Sequence, residues 1–483
     1  MKDTLLSGFR ATLGAEIVRT VAKGILTVSL ARLFLTPDEY GILFLAISVF
    51  SASLLCSRLG IPRSTARYIA EYRETDPGQV PYLVRSSLLF LGIVMLIVAA
   101  AVTVFHQLLA DLFGEQELAP LLLLGGVYIS AWTLNSYVHT LFQGFNRITW
   151  SARVTIITNA STLLSVVALL LTGSGVIAAL IGYIIGYALG AVYGLVLLYR
   201  LVAEFDRAAE PEPGLRRRLI EYSLPLTVSD GANVVYKQVD TLLIGAFLTP
   251  VAVGYYVLAK QISDFVIAPA SSLGFTVSPS YGEYKANGEL EEAARMYETT
   301  FKHNVVFYVP AAAGLIVVAD PLIRYVFGSD YLGAIPVIQV FALFIVFQSI
   351  DKITNDALDY LGRATHRAVS KGATGAFNFG LNLVLIPTIG VVGAAISTVV
   401  SYGIMVVVNI YLIHTELPIS PRYLAKSVVM VSGIALSMAL VVLLVLPAAT
   451  NIVSLLAVIG LGVTLWALFS VTSGLVDIHS VRS

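Results

Sequence analysis

The sequence predicts an all-α, polytopic membrane protein of about fourteen transmembrane helices, built as two pseudo-symmetric six-helix lobes plus two C-terminal helices. Three observations lead there: the apolar bulk of the chain, the alternation of its cations between connections, and an internal repeat. Of 483 residues, 57% are hydrophobic and 12% charged, and the mean hydropathy is +0.84. A soluble domain carries about a quarter of its residues as charges, and no single soluble core grows large enough to absorb so much apolar sequence. A bilayer, at about 20 apolar residues per span, accommodates it in about fourteen crossings. That excludes a soluble enzyme, a disordered chain and a disulfide scaffold. Cys56 is the single cysteine, so no intrachain disulfide can form. Thirty basic residues balance thirty acidic ones, which argues against a nucleic-acid partner.

The elements follow from apolar runs and the polar or Gly/Pro punctuation between them. The first run, 12–34, holds Glu16, Arg19 and Lys23, which would spoil the short apolar core of a cleavable signal; a retained helix is expected. The next five spans are 40–60, 83–105, 120–142, 151–172 and 176–200. A second set covers 219–247, 252–279, 303–327, 333–358, 368–387 and 391–413, and 424–446 and 451–474 complete the chain. The runs are long and continuously apolar, unlike the short alternating strands of a membrane barrel. The stretch GELEEAARMYETTFKH has helical character and is expected to lie at the membrane interface.

Cations set the orientation. The connections at 35–41, 106–119, 172–176, 248–253, 328–332, 388–391 and 447–450 contain no Lys or Arg. The alternate connections hold Arg58, Arg63, Arg67, Arg73 and Arg85, then Arg147 and Arg153, Arg200 and Arg216-Arg217-Arg218, Lys285 and Arg295, Arg363 and Arg367, and Arg422 and Lys426. The basic side is the cytoplasmic one, and both termini are expected there, in a multi-pass protein of the cell membrane.

Self-comparison exposes the repeat. LTPDEYGILFLA at 35–46 matches LTPVAVGYYVLA at 248–259; Phe113-Gly114 recurs as Phe327-Gly328, GVIAALI at 175–181 as GVVGAAI at 390–396, and Arg147 as Arg363. The offsets stay between 213 and 216 in order across the half. A period of six helices makes the repeats parallel, related by an axis along the membrane normal. The expected division is 1–205, 206–415 and 416–483, the last being the two appended helices.

ARLFLTPDEYGILFLA, DPLIRYVFGSDYLGAIPVIQVFAL and PTIGVVGAAIST, in this order and spacing, resemble segments of the Wzx-type polysaccharide-biosynthesis flippases, a branch of the multidrug/oligosaccharidyl-lipid/polysaccharide exporter superfamily. The resemblance spans essentially the whole chain. It implies a V-shaped two-lobe bundle that flips polyprenyl-linked saccharides by alternating access.

Ionisable residues inside a span are expensive and mark cavities or pathways. Helix 1 places Glu16, Arg19 and Lys23 on one face, and a shift of 214 maps them onto Asp230, Asn233 and Lys237 of helix 7, where Asp240 continues the series. Helix 8 adds Lys260 and Asp264; helix 10 adds Gln348, Asp351, Lys352, Asn355, Asp356 and Asp359, against Asn135, His139 and Gln143 on helix 4. Arg19, Lys23, Lys237, Lys260 and Lys352 are the candidate substrate-binding cations, since a diphosphate desolvated in a cavity must be answered by Lys or Arg. Glu16, Asp230, Asp264, Asp351 and Asp356 are the candidate ion-coupling groups, for H+ or Na+. The bland alternative makes these residues internal ion pairs that fix helix packing. Arg32 and Arg324 read as interfacial anchors, and Asn378 and Asn382 as hydrogen-bonding glue between helices.

No nucleotide loop, nucleophile elbow or metal-ligand spacing occurs, so no cofactor, no metal and no catalytic residue is expected. The partners expected are a lipid-linked glycan and membrane lipid, with the protein a monomer. Two rivals stand beside the flippase reading. A drug or organic-cation antiporter of the same superfamily would want an acidic, aromatic site. A polytopic glycosyltransferase or polymerase would use acids of the first outer loop, such as Asp38 and Glu39, although the outer connections are short and Asp38-Glu39 also suit a turn.

Overall fold

The computed structural model describes residues 2–475 other than 174, 207 and 209; within its helices, the side chains of 2–7, 9, 228–230, 232, 233, 235, 236, 271–276 and 364 lie outside the described set. The chain divides into two compact units, 1–254 and 255–483. Among the described residues there is helix and no strand.

The first unit contains α1 (Lys2–Ser29), α2 (Pro37–Arg58), α3 (Ile61–Thr75), α4 (Val80–Val104), α5 (His106–Phe113), α6 (Ala119–Leu123), α7 (Gly125–Gly144), α8 (Ile148–Leu170), α9 (Gly175–Val202) and α10 (Leu215–Phe247). The closest pairing is α8 on α9, with α1 against α8, α7 against α9, and α2 against α4 and α10. A stripe of glycines permits the first: Gly182, Gly186, Gly190 and Gly194 recur every fourth residue along α9. A Cβ at Gly186 would sit 1.9 Å from Thr162 Oγ1, and one at Gly190 2.0 Å from Thr158 Oγ1. Small residues at helical spacing let two backbones approach where no hydrophobic effect drives them together.

α11 (Pro250–Ile267) begins in the first unit and runs into the second, followed by α12 (Ala270–Asn287), α13 (Leu290–Leu322), α14 (Ile335–Tyr360), α15 (Ala364–Ile389), α16 (Val391–Glu416), α17 (Pro421–Val445) and α18 (Ile452–Thr472). Here α14 packs on α16, α15 on α16, and α13 on α14 and α17. Pro310 inside α13 supplies no N–H to the carbonyl of Val306 four residues back, and the indole of Trp466 on α18 donates to that oxygen at 2.8 Å. GELEEAARMYETTFKH is helical, as expected, and is continuous with a longer helix. Gly288, with φ +76, caps α12, the chain restarts at Leu290, and the segment forms the first turns of α13, burying Ala293, Ala294, Tyr297 and Phe301.

Helices stand at each of the fourteen expected spans. Ten of them, or eleven if the α6–α7 pair bent by 48° is one crossing, are long and apolar enough to cross a membrane among the described residues. The segments that fall short are α1, α10 and the α11–α12 pair, and these carry the intramembrane charges of helices 1, 7 and 8.

The repeat has a structural counterpart inside each unit. Arg73 donates to the carbonyl of Phe145 at 2.7 Å, and Lys285 to that of Leu361 at 2.6 Å. The residues that follow, Asn146 and Gly362, both turn left-handed, with φ 56 and 79, before Arg147 and Arg363. The matched turn glycines Gly114 and Gly328 have φ 68 and 109, and Gly175 and Gly390 have φ 59 and 68. At these turns the left-handed backbone favours glycine or asparagine, so both copies carry such residues there.

Candidate functional site

α1 has three faces. Ala15, Ala22 and Leu26 are buried, on the side that packs on α8. Leu13, Ile17, Val21 and Ile25 form a second stripe, each about half exposed, as a lipid-covered surface would be. Glu16, Arg19 and Lys23 form a third, also exposed. At 100° per residue the charged stripe lies between the packed face and the apolar one. Arg19 donates to Glu16 at 2.5 Å with both side chains half exposed, a pair that contributes little to stability; its charge also acts on His139 of α7.

Lys237 is exposed on α10. The side chains of Asp230 and Asn233 lie outside the described residues, so the proposed match of Glu16 with Asp230 has no geometry to report. In the second unit, Lys260 is partly buried, its ammonium 5.9 Å from the ring centroid of Tyr256 one turn earlier, within cation–π range. Asp264, one turn further, is partly buried too.

The polar stripe of α14 is partly an internal network. Asp351 is buried and accepts hydrogen bonds from Asn355 at 2.7 Å and from Asn409 of α16 at 3.0 Å. The charges of Lys371 and Arg367 on α15 act on it; Lys352 and Arg367 act on Asp356. Asp359 pairs with Arg367 at 3.1 Å. Asn409, Arg367 and Lys371 are thus partners that spacing along one helix could not reveal. The repeat-related position in the first unit, Asn135, is neutral and donates to Thr158 at 2.7 Å. The described candidates stand on four helices: Glu16, Arg19 and Lys23 on α1; Lys237 on α10; Lys260 and Asp264 on α11; Asp351, Lys352 and Asp356 on α14.

Several remaining residues have local tasks. Glu39 closes a capping box at the start of α2, accepting from the Thr36 N–H at 2.9 Å, so the turn reading of Asp38-Glu39 accounts for Glu39. Arg324 pairs with Asp320 at 3.2 Å. Asn378 and Asn382 are buried and bond to one another at 3.1 Å along α15. At the cation-free end, burial and the nearby charges of Asp38 and Glu117 raise the Glu115 carboxyl above its ordinary range. Among the described residues, no group of His, Cys, Asp and Glu could hold a metal ion.

A family model described as polysaccharide biosynthesis protein matches residues 5–277, and a MatE model matches 225–388. The chain is similar to the probable low-salt glycan biosynthesis flippase Agl15 of Haloferax volcanii, 26% identical over 43% of this chain. That match spans only 44% of the relative's length. It is 23% identical to the probable flippase AglR of the same organism, over 80% of this chain and 79% of the relative. Among solved structures, the lipid II flippase MurJ in an inward closed conformation superposes with a TM-score of 0.76 at 18% identity, over 96% of this chain and 98% of that one. An inward-facing MATE multidrug transporter of the MOP superfamily gives 0.67 at 14%, over 83% and 94%.

Proposed function

The chain belongs to the polysaccharide biosynthesis protein family, flippase-type transporters of the MOP superfamily, and from that premise we propose that it translocates polyprenyl-phosphate- or -diphosphate-linked oligosaccharides across the cytoplasmic membrane by alternating access. The observation that carries the substrate class is α1. A helix with a charged stripe beside an apolar one can hold a headgroup phosphate on Arg19 and Lys23 while the polyprenyl tail stays in lipid along Ile17, Val21 and Ile25. Lys237, Lys260 and Lys352 extend the cationic path. The repeats at 1–205 and 206–415 supply the rocking bodies, 416–483 the appended helices, and both termini lie in the cytoplasm of a monomeric protein.

Ion coupling is assigned to Glu16, Asp230, Asp264, Asp351 and Asp356. Support is strongest at Asp351, a buried carboxylate that would take the proton itself, where the buried Asn409 Oδ1 has no hydrogen-bond partner among the described residues and offers an oxygen to Na+.

The test is complementation of a deletion strain. Lys23→Gln and Lys237→Gln should accumulate in the membrane yet leave lipid-linked glycan on the inner leaflet, with surface glycan reduced at least tenfold; Lys→Arg at either site should restore part of it, because charge matters more than one donor geometry. Full surface glycan from both Gln variants would make these residues structural. A second reading, export of organic cations, is favoured by the MatE match over 225–388 and by the acids of α14. Loss of drug efflux with intact surface glycan in the deletion strain would select it.

A further inference from the structure

Two helices of the first unit carry an aromatic group that the second unit repeats only in part. Trp132 of α7 stacks on Tyr187 of α9, with ring centroids 5.4 Å apart and planes at 14°. Tyr128, one turn before Trp132, meets both rings edge-on, at 5.7 Å and 5.6 Å. The repeat offsets of 215 and 216 carry Tyr187 onto Tyr402 and Tyr128 onto Phe344. That pair also meets edge-on, at 4.6 Å and 88°. The Tyr128–Tyr187 contact is therefore packing that both units share. Trp132 is not shared, because Gln348 stands at its counterpart.

Trp132 is partly exposed. Its indole N–H can only donate, and it has no hydrogen-bond partner among the described residues, although a tryptophan packed away from water normally finds one. The tryptophans of a membrane belt sit at the ends of a span; this one lies near the middle of the bent α6–α7 pair, Gln116–Gly144. It also stands away from the lipid side, since the exposed Val127 lies about 140° round the helix from it. Sharing its own side are Ser136, His139 and Gln143, hydrogen-bonding groups at helical spacing. Ser136 accepts from Arg58 at 3.1 Å, and the charge of Arg19 acts on His139. Cations thus lie about one and two turns from Trp132, toward the basic end.

An aromatic face is electron-rich and its edge electron-poor. A pyranose presents the complement: a face of C–H groups carrying partial positive charge, and a rim of hydroxyls that both donate and accept. An indole with one face backed by a second ring and its N–H unengaged meets both demands. Lys and Arg answer a phosphate, whereas an uncharged sugar needs apolar contact with a few fixed hydrogen bonds.

We infer that Trp132, backed by Tyr187, is the platform on which a sugar of the lipid-linked glycan stacks, with the indole N–H donating to one of its hydroxyls. The inference rests on the flippase reading and adds to it a subsite that recognises the saccharide rather than its phosphate or its lipid. The second unit, with Gln348 at the matching place, has no such platform.

The experiment measures equilibrium binding to the purified full chain. One probe is lipid-linked oligosaccharide extracted from the deletion strain; the other is polyprenyl phosphate and diphosphate without sugar. Trp132→Leu removes both the face and the N–H. It should weaken binding of the saccharide lipid about tenfold and leave the sugar-free lipids within about twofold of the parent. Trp132→Phe keeps a ring and loses the N–H, and should weaken the saccharide lipid about threefold, again with no change for the sugar-free lipids. Equal losses on both probes would make Trp132 a structural residue and overturn the inference, as would parent-like binding of the saccharide lipid by both variants. If Trp132→Leu fails to accumulate, Trp132→Phe alone decides. A parent that binds both probes equally well would overturn this inference only; one that binds neither would count against the flippase reading itself.

Discussion

Asp351 illustrates what a single residue reveals and conceals. Its carboxylate is held by two amides, Asn355 four residues on and Asn409 on α16. Asp351→Asn keeps the size and one acceptor, so membrane accumulation and thermal stability in detergent should stay near those of the parent while coupling is lost. Asp351→Leu removes the acceptor of the buried Asn409 amide and of the half-buried Asn355 amide, an unsatisfied buried donor costing about 1–3 kcal/mol, and should lower the melting temperature measurably. Equal melting temperatures for the Leu and Asn variants would show that the network carries no structural weight. The contact with Asn355 was legible from i,i+4 spacing, as was Glu16 with Arg19 from i,i+3, because helix geometry alone brings such pairs together. Asn409 was not, nor were Arg367 and Lys371. They reach α14 only once α15 and α16 have packed, and no local pattern encodes that. Glu39 was legible in the opposite sense, since a Thr three residues before a Glu at a helix start spells a capping box.

At the scale of elements, apolar runs located every long helix but not the joints between them. The expected span 252–279 is two helices broken at Ala268-Pro269, and the connection 61–82 contains α3, whose buried Ile61, Tyr68, Ile69 and Tyr72 alternate with charges at helical spacing. GELEEAARMYETTFKH was legible as an amphipathic helix, and its apolar face seats the start of α13 on its neighbours. The glycine stripe of α9 is the clearest packing signal, and it makes a test. Gly186→Val would push a branched side chain into Thr162, whose Cα lies 2.7 Å from the new Cβ. Overpacking of this kind costs about 1–3 kcal/mol, so the variant should melt earlier and accumulate less. Gly460→Val on α18, where nothing lies within 4 Å of the added Cβ, should leave both unchanged. If the two variants behave alike, α8 and α9 do not depend on close backbone approach.

For the whole molecule, the open quantity is how many helices cross the bilayer. Fourteen apolar runs were legible, yet α1, α10 and the α11–α12 pair fall below the apolarity of the others. Their polarity has a physical reading. A helix that faces a water-filled path on one side needs lipid-compatible residues only on the rest, as the exposed stripes of α1 display, so a window average understates its fitness to span. Single cysteines on the Cys56→Ser background decide the matter. Asp111→Cys and Thr450→Cys lie in connections without Lys or Arg and should react with a membrane-impermeant maleimide in intact cells. Glu210→Cys and Glu289→Cys lie on the basic side and should react only after permeabilisation. Thr249→Cys, between α10 and α11, is the discriminating site. All five positions are exposed, so access depends on the membrane alone. If α10 and α11–α12 both cross, Thr249→Cys labels from outside while Glu210→Cys and Glu289→Cys stay protected. If neither crosses, all three share one side and the repeat loses its parallel two-fold.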